Sequence, residues 1–483
     1  MLIDLRSWLR AHRHSSGTGG SNEATGGDER RLRTILAATA MAMFTVQLDF
    51  FALNLALPDM ASELDVSVDD LQWVISGYML ALAAFLIPAG RVGDLLGRKR
   101  VLVAGLVVFG GASLAGGLAP SADFVIAARV VQGVGGAILF PLAIAVVTNA
   151  FPPEGQMRAI GNIYGLSALG AALGPFVGGG LTELIDWRAV LFVNVPITLI
   201  AGFLVIRAVS ESSDETVPRN IDLPGILLVA LGIATLTYGV DRAADWGWFS
   251  PDTLGLIAAG LILLGLFVLR ERSARFPLVD LSLFRNRPYV GVTLLGTVAN
   301  VSFVCATFGA TLYLQTVEGY TPAEAGVIFL AASIPLGLAG PFSGRIGERF
   351  DIPRSMLAAC GFGAAGLLLL SFGPGLAGVL AAFVLYGGGY GFGWSMASVG
   401  TQVTVPPERA GIASGVTLAV LIGCGGLAIA TLSTLTVAGA GSAATLGSSL
   451  ETAFLVIGIG SVLAAAALIP LAHERSGTGS RSQ

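Results

Sequence analysis

The chain has 483 residues, of which 54% are hydrophobic, only 12% are charged and 66 are glycine. A soluble globular domain carries roughly 25% charged residues. Few charges together with abundant glycine are typical of helices packed in lipid, because glycine lets helix backbones approach closely. The formal net charge is −4, and the basic residues form no patch with interleaved aromatic residues, so we do not expect nucleic-acid binding.

The sequence also offers little for enzyme chemistry. Cys305, Cys360 and Cys424 stand far apart in apolar stretches, a spacing that indicates neither a disulfide framework nor a zinc site. The three histidines lie in the polar tails, and the only lysine, Lys99, does not belong to a phosphate-binding GxxxxGK motif. We therefore expect no enzyme activity, no cofactor and no bound metal.

Apolar runs dominate the chain after residue 33. Residues 1–33 contain no apolar run long enough for a signal peptide and are predicted to form a tail. A helix needs about 20 mostly apolar residues to cross a bilayer. Fourteen such runs are present, which predicts an all-α integral membrane protein. The runs cover residues 35–58, 70–89, 101–119, 122–150, 159–182, 188–208, 222–240, 253–270, 289–314, 323–343, 354–372, 376–402, 410–436 and 451–471.

The basic residues predict the orientation. With both termini in the cytoplasm, 24 of the 27 lysine and arginine residues fall in cytoplasmic loops and tails. Arg188 and Arg242 fall in outer loops, and Arg129 lies inside a span. Because basic residues are strongly retained on the cytoplasmic side, we predict a multi-pass protein of the cell (plasma) membrane with both termini cytoplasmic.

Two short sequence matches recur at one spacing. Residues 90–94 (GRVGD) closely match residues 344–348 (GRIGE), and the PPE of residues 152–154 recurs at 406–408. Both matches are offset by 254 residues, and each lies in a loop on the predicted cytoplasmic side. Spans 1–6 therefore correspond to spans 9–14, and spans 7 and 8 are inserted between them.

This duplication predicts two pseudo-symmetric six-helix bundles plus two extra central helices. Bundles related by an axis along the membrane normal are typical of transporters that bind substrate near the midplane, between their halves. The predicted segments are a cytoplasmic tail (1–33), an N-terminal bundle (34–209), a linker with two extra transmembrane helices (210–287), a C-terminal bundle (288–471) and a second cytoplasmic tail (472–483).

Asp49 lies within the first span, where an ionisable side chain indicates a functional site. It is about nine residues, or roughly 13 Å, from the outer edge, and Arg129 is about seven residues, or roughly 10 Å, from the same edge. We therefore expect the two to pair or to share a water-filled cavity. Burial favours a protonated carboxyl and a guanidinium favours an ionised one, so a conformational change would couple proton binding to substrate binding. The alternative is a static ion pair.

Three stretches resemble the signatures of one family of transporters. Residues 90–100 (GRVGDLLGRKR) resemble the G-x-L-x-D-R-x-G-R-K loop of the major facilitator superfamily. Residues 129–136 (RVVQGVGG) are similar to its fourth-helix signature, and residues 170–179 (GAALGPFVGG) match the fifth-helix signature of its exporters. Further stretches over nearly the whole chain, such as residues 246–248 (WGW), are similar to its fourteen-helix drug:proton antiporter branch.

The resemblance implies roles for two groups of residues. A gating loop that engages the opposite half when the cytoplasmic side is closed would use Gly90, Asp94, Gly97 and Arg98, with Glu348 as a counterpart in the second half. An antiporter helix that packs and bends against a neighbour would use Gly170, Gly174, Pro175, Gly178 and Gly179. Because a substrate cavity has apolar walls and few polar groups, its candidate residues are Asn54, Tyr78, Asn162, Tyr164, Tyr238, Asn300, Tyr386 and Trp394.

The resemblance also implies a function. It predicts a secondary active transporter that exports small hydrophobic or cationic drugs and antibiotics in exchange for protons by alternating access. Its partners would be the small-molecule substrate, protons and the lipid bilayer, and we expect a monomer to be functional. Two alternatives stay open: an uptake or facilitated transporter for a metabolite with the same fold, and a membrane-embedded enzyme.

Overall fold

The computed structural model describes residues 22–213, 222–274, 277–279, 281–347, 349–405, 410–436 and 442–472. Regular structure in these ranges is entirely helical, and fourteen long helices follow one another along the chain. They are α1 (Asn22–Ala52), α2 (Trp73–Leu96), α3 (Arg98–Gly117), α4 (Ala122–Ala150), α5 (Pro153–Leu184), α6 (Asn194–Ala208), α7 (Leu223–Asp241), α8 (Pro251–Ser273), α9 (Arg287–Leu312), α10 (Pro322–Gly347), α11 (Ile352–Leu370), α12 (Leu376–Thr404), α13 (Ala410–Thr436) and α14 (Ala443–Ala472).

The predicted all-α membrane class is confirmed. Within the described ranges, thirteen helical segments are long and apolar enough to cross a bilayer, and α2 counts as the fourteenth. Helix α2 bends by 49° at Pro88, because proline lacks the N–H that continues the helical hydrogen bonds. On α8, the side chains of Leu261, Ile262 and Leu269 are all more than half exposed, which suits a surface that faces lipid.

Several helices are longer than the apolar runs that predicted them. Helix α1 begins at Asn22, inside the segment predicted as a tail, and α14 begins at Ala443 rather than at residue 451. The difference arises because an apolar run marks only the part of a helix that lipid covers, whereas the backbone hydrogen bonds continue into polar residues. A short helix at Leu57–Leu64 follows α1, and another at Arg188–Phe192 precedes α6.

The two halves pack by the same pattern. Helix α1 contacts α4, α5 and α6, and α9 makes the corresponding contacts with α12, α13 and α14. Helix α4 packs against α2 and α3, as α12 does against α10 and α11. The halves meet where α5 contacts α10 and where α2 contacts α13. Helices α7 and α8 pack on each other, and α7 lies against α2 and α13.

We call the end of the bundle with the loop at residues 90–100 the arginine-rich end, and the end with Glu63 and Glu183 the acidic end. At the acidic end, the Gln315 side chain donates to the Leu55 carbonyl, with an N–O distance of 3.1 Å. Ala323 N–H donates to the Glu183 carboxylate at 2.9 Å, which places a negative charge at the N-terminus of α10, where the helix dipole favours it. These contacts join the halves at the acidic end.

Glycines on α5 let three helices meet closely. A Cβ at Gly170 or Gly174 would run into the backbone of α1, and one at Gly178 would run into the backbone of Ala52. A Cβ at Gly179 would instead meet the backbone of Pro322 on α10, in the other half. Helix α5 is therefore wedged between α1 and the opposite half, and Pro175 lies inside it.

We expect Gly178→Ala to destabilise the protein. Its Cβ would overlap the Ala52 backbone, and overpacking of this kind costs on the order of 1–3 kcal/mol. Gly180→Ala is the matched control, because nothing lies within 4 Å of its Cβ position. Thermal unfolding of the two purified variants in detergent measures the difference. Equal unfolding temperatures would show that α1 and α5 do not pack this closely.

Candidate functional site

A buried ion pair lies inside the first half. Asp49 of α1 and Arg129 of α4 contact each other through a carboxylate oxygen and Nη1, and both side chains are fully buried. Glycines bring the surrounding helices together, since a Cβ at Gly133 would meet the Tyr78 carbonyl of α2. Buried charges are costly unless hydrogen bonds satisfy their remaining polar atoms.

Amide side chains complete the coordination of the Asp49 carboxylate. Its Oδ1 accepts hydrogen bonds from Asn194 Nδ2 at 2.6 Å and from Gln132 Nε2 at 3.0 Å. Its Oδ2 pairs with Arg129. Both carboxylate oxygens therefore have a charged or polar partner.

Hydroxyl groups tie these amides to further helices. Ser113 Oγ of α3 accepts from Asn194 Nδ2 at 3.0 Å and from Gln132 Nε2 at 3.2 Å, and it donates to the Leu191 carbonyl at 2.8 Å. Thr45 Oγ1 donates to Asn194 Oδ1 at 3.0 Å. One polar network thus links α1, α3, α4 and α6. We call Asp49, Arg129, Gln132, Asn194, Ser113 and Thr45 the coupling network.

Arg129 connects the coupling network to α2. Its Nε donates to the Val74 carbonyl at 2.9 Å, and its Nη1 also donates to Gln132 Oε1 at 2.7 Å. The guanidinium lies over the Tyr78 ring, 4.1 Å from the ring centroid. In the part of the chain that the structure describes, the buried Nη2 has no hydrogen-bond partner. The two N–H groups of Nη2 therefore have no acceptor in this arrangement of the site.

A cavity lies between the halves. Helices of both halves line it, and the polar side chains of the lining are Gln47 on α1 and Asn300 on α9, besides the Tyr78 hydroxyl and the Trp394 ring nitrogen. Its large aromatic residues are Phe50, Phe51, Tyr78, Phe140, Phe303 and Trp394.

Aromatic rings of both halves meet in the part of the cavity wall nearest the acidic end. Phe51 and Phe303, from opposite halves, meet edge to face with centroids 5.8 Å apart. Phe50 stacks on Tyr78 at 6.2 Å. Tyr78 therefore belongs both to the cavity wall and to the surroundings of Arg129.

Comparison with known proteins gives the family. The sequence profile of the Major Facilitator Superfamily matches residues 39–420, which is most of the chain. The chain belongs to the major facilitator superfamily. It is therefore a membrane transporter and not an enzyme.

Several superfamily relatives are named for export or resistance. The tetracenomycin C resistance and export protein of Streptomyces glaucescens is 33% identical over 432 residues, which cover 87% of this chain and 79% of the relative. The multidrug resistance protein Stp of Mycobacterium tuberculosis is 34% identical over 388 residues, covering 79% and 71%. The cephamycin export protein CmcT of Amycolatopsis lactamdurans is 36% identical over 450 residues, covering 91% and 92%.

Solved structures of two other transporters share the fold. A bacterial homolog of the human lysosomal transporter Spinster, in an inward-facing and unoccupied conformation, superposes with a TM-score of 0.63 at 16% identity, over 92% of this chain and 97% of that chain. The peptide transporter POT in complex with sulfate gives a TM-score of 0.64 at 15% identity, over 92% and 95%. At these identities the likeness concerns the fold alone.

The predicted cavity residues divide into two groups. Tyr78, Asn300 and Trp394 line the cavity. Asn54 does not, because it is buried in the turn after α1 and donates to the Phe50 carbonyl at 2.9 Å. Tyr386 is fully buried behind Phe303, with ring centroids 6.0 Å apart.

The remaining three candidates lie away from the described cavity lining. Asn162 and Tyr164 are half-buried on α5. Tyr238 is exposed on α7, where its ring contacts Trp73 and Trp246.

Residues 90–100, predicted as a loop, are the end of α2, Gly97 and the start of α3, and contacts within their own half hold them. Asp94 and Arg98 form an ion pair of 2.8 Å across Gly97, and Arg98 N–H donates to the Ser212 carbonyl at 2.9 Å. Gly97 has φ of 107°, a conformation that glycine adopts without strain. Gly90 lies against Pro141 of α4. Engagement of the opposite half stays a prediction, and Glu348 lies outside the described residues.

Sequence reasoning did not single out Gln132, Ser113, Asn194 or Thr45 as site residues. Gln132 could have been predicted as a site residue, because it lies three residues after Arg129 and such residues share a helix face. Asn194 is an amide within an apolar run, which is also unusual. The sequence does not distinguish Ser113 and Thr45 from other hydroxyl residues, since hydroxyl side chains in helices often bond to their own backbone.

We expect the two charges to depend on each other. Arg129→Gln should lower the unfolding temperature strongly, because removing one member of a buried pair costs about 3–5 kcal/mol. Adding Asp49→Asn should recover part of that loss, since no unpaired charge then remains. Thermal unfolding of the single and double variants tests the coupling. If the losses simply add, the pair does not exist in the folded protein.

Proposed function

We propose that the protein exports small hydrophobic or cationic drugs and antibiotics from the cell in exchange for protons. The observation that carries this proposal is the buried Asp49–Arg129 pair, which adjoins the cavity wall at Tyr78. The names of the relatives support the direction of transport. The excess of basic residues in the loops and tails predicted to be cytoplasmic supports a location in the cell (plasma) membrane with both termini in the cytoplasm.

In this proposal Asp49 is the proton site. When Asp49 takes up a proton from outside, its attraction for the Arg129 guanidinium weakens, and Arg129 becomes a buried charge without a counterion. Arg129 then shifts towards other acceptors, for which its unpartnered Nη2 is available. Because the guanidinium lies on Tyr78, the shift moves part of the cavity wall. Release of the proton to the cytoplasm restores the pair.

Alternating access would occur where the two halves meet. The halves are joined at the acidic end through Glu183, Gln315 and the rings of Phe51 and Phe303. With this end outside, the arrangement suits a cavity that receives substrate from the cytoplasm. Opening to the outside would require these contacts to separate while α5 pivots on its glycine contacts. A monomer suffices, because one chain supplies both the cavity and the coupling network.

We expect Asp49→Asn to abolish transport driven by a pH gradient. Its neutral amide cannot exchange a proton, so the variant should still exchange substrate at equilibrium but not accumulate it. Proteoliposomes with an imposed pH gradient measure both activities. Asp123→Asn is the control, because Asp123 is an exposed carboxylate on the same helix as Arg129.

Undiminished gradient-driven transport by the Asp49 variant would contradict the proposal. It would remove Asp49 from the mechanism and favour a facilitated transporter or a metabolite carrier of the same fold.

A further inference from the structure

The cavity between the halves has no charged wall. Among its described lining residues there is no aspartate, glutamate, arginine, lysine or histidine. Asp49 is fully buried, and its two oxygens already hold Arg129, Gln132 and Asn194. A cation entering the cavity would therefore lose its water without gaining a carboxylate, which is unfavourable.

Tyr78 adds a second obstacle to a cation. Aromatic faces attract cations through the ring quadrupole, but the Tyr78 ring already carries the Arg129 guanidinium at 4.1 Å. When Asp49 takes up a proton, the Arg129 guanidinium loses its counterion, and its positive charge stays in the first half close to this wall. The wall then repels a second positive charge.

The cavity offers flat aromatic surfaces instead. Phe50 and Tyr78 of the first half and Phe303 and Trp394 of the second half contribute to its lining. Planar rings pack on such side chains edge to face or in offset stacks, and they bury large apolar areas. A planar aromatic ligand therefore finds matching surfaces on both halves.

The cavity also presents a few free hydrogen-bonding groups. Within the described chain, the Gln47 amide and the Trp394 ring nitrogen have no hydrogen-bond partner. Asn300 donates through Nδ2 to the Leu421 carbonyl at 2.8 Å, so its Oδ1 stays available as an acceptor. A ligand can thus accept from Gln47 of the first half or Trp394 of the second half, and donate to Asn300 of the second half.

We propose that the exported substrate is an uncharged, planar aromatic compound with carbonyl and N–H or hydroxyl groups on its edges, and not a lipophilic cation. This inference rests on the proposed export function and narrows its substrate class. The rings pack between the aromatic walls, and the polar edges bind Gln47 of one half and Asn300 of the other. Such a ligand contacts both halves, so its binding stabilises the conformation in which the halves lie close together around the cavity.

Two probes with the same three-ring frame test the substrate class. Acridone is uncharged and carries a carbonyl and an N–H, whereas 10-methylacridinium is a permanent cation. Binding to the full-length protein in detergent is followed by quenching of the Trp394 emission, and Trp394→Phe gives the background from micelles and from the other tryptophans. We expect acridone to bind at least ten-fold more tightly than 10-methylacridinium.

A charge introduced into the wall should reduce or remove this preference. Gln47→Glu supplies the missing carboxylate, and we expect it to raise the affinity for 10-methylacridinium at least ten-fold. Gln47→Leu is the matched control, which should weaken acridone binding and give no gain for the cation. Equal or tighter binding of 10-methylacridinium by the wild type, or no binding of acridone, would overturn the proposed substrate class. Because no proton gradient is present in this assay, such a result would leave the role of Asp49 in transport intact.

Discussion

Two opposite charges at the centre of the first half constrain the structure around them. Asp49 and Arg129 are both removed from solvent, and the effective desolvation penalty of a buried ion is several kcal/mol. The arrangement is tolerated because α1, α3, α4 and α6 each direct a polar side chain to the site. These helices can approach so closely only where glycine replaces larger residues, as at Gly110 of α3 against α6 and at Gly135 of α4 against α3.

Tyr78 relates the coupling network to the substrate cavity. One ring contacts Arg129 and also lines the space between the halves, so a change of charge at Asp49 reaches the substrate without direct contact between proton and substrate. The charge balance follows from the proposed substrate class. If an uncharged compound leaves while a proton enters, each cycle moves positive charge inward, and the membrane potential contributes to export together with the pH gradient.

Hydropathy was sufficient to predict the helix count, and two sequence matches at one offset of 254 residues predicted the duplicated architecture. The bilayer imposes this regularity, because every spanning segment must satisfy its backbone hydrogen bonds internally. Similar depths in α1 and α4 also predicted that Asp49 and Arg129 lie at one level, and the structure joins them directly. Sequence periodicity did not show which way the tyrosines point. Tyr238 faces outward, whereas Tyr386 lies behind Phe303, since most helix faces in such a protein are apolar whether they meet lipid or another helix.

Proton release on substrate binding tests the central claim most directly. A compound shown to be exported is added to the purified protein in weakly buffered detergent solutions over a series of pH values, and a pH-sensitive dye reports the protons released. The account predicts that substrate binding displaces protons from the wild type, up to about one per molecule, and displaces none from Asp49→Asn. Equal release from the variant, or no release from the wild type at any pH, would contradict exchange of substrate and proton through Asp49.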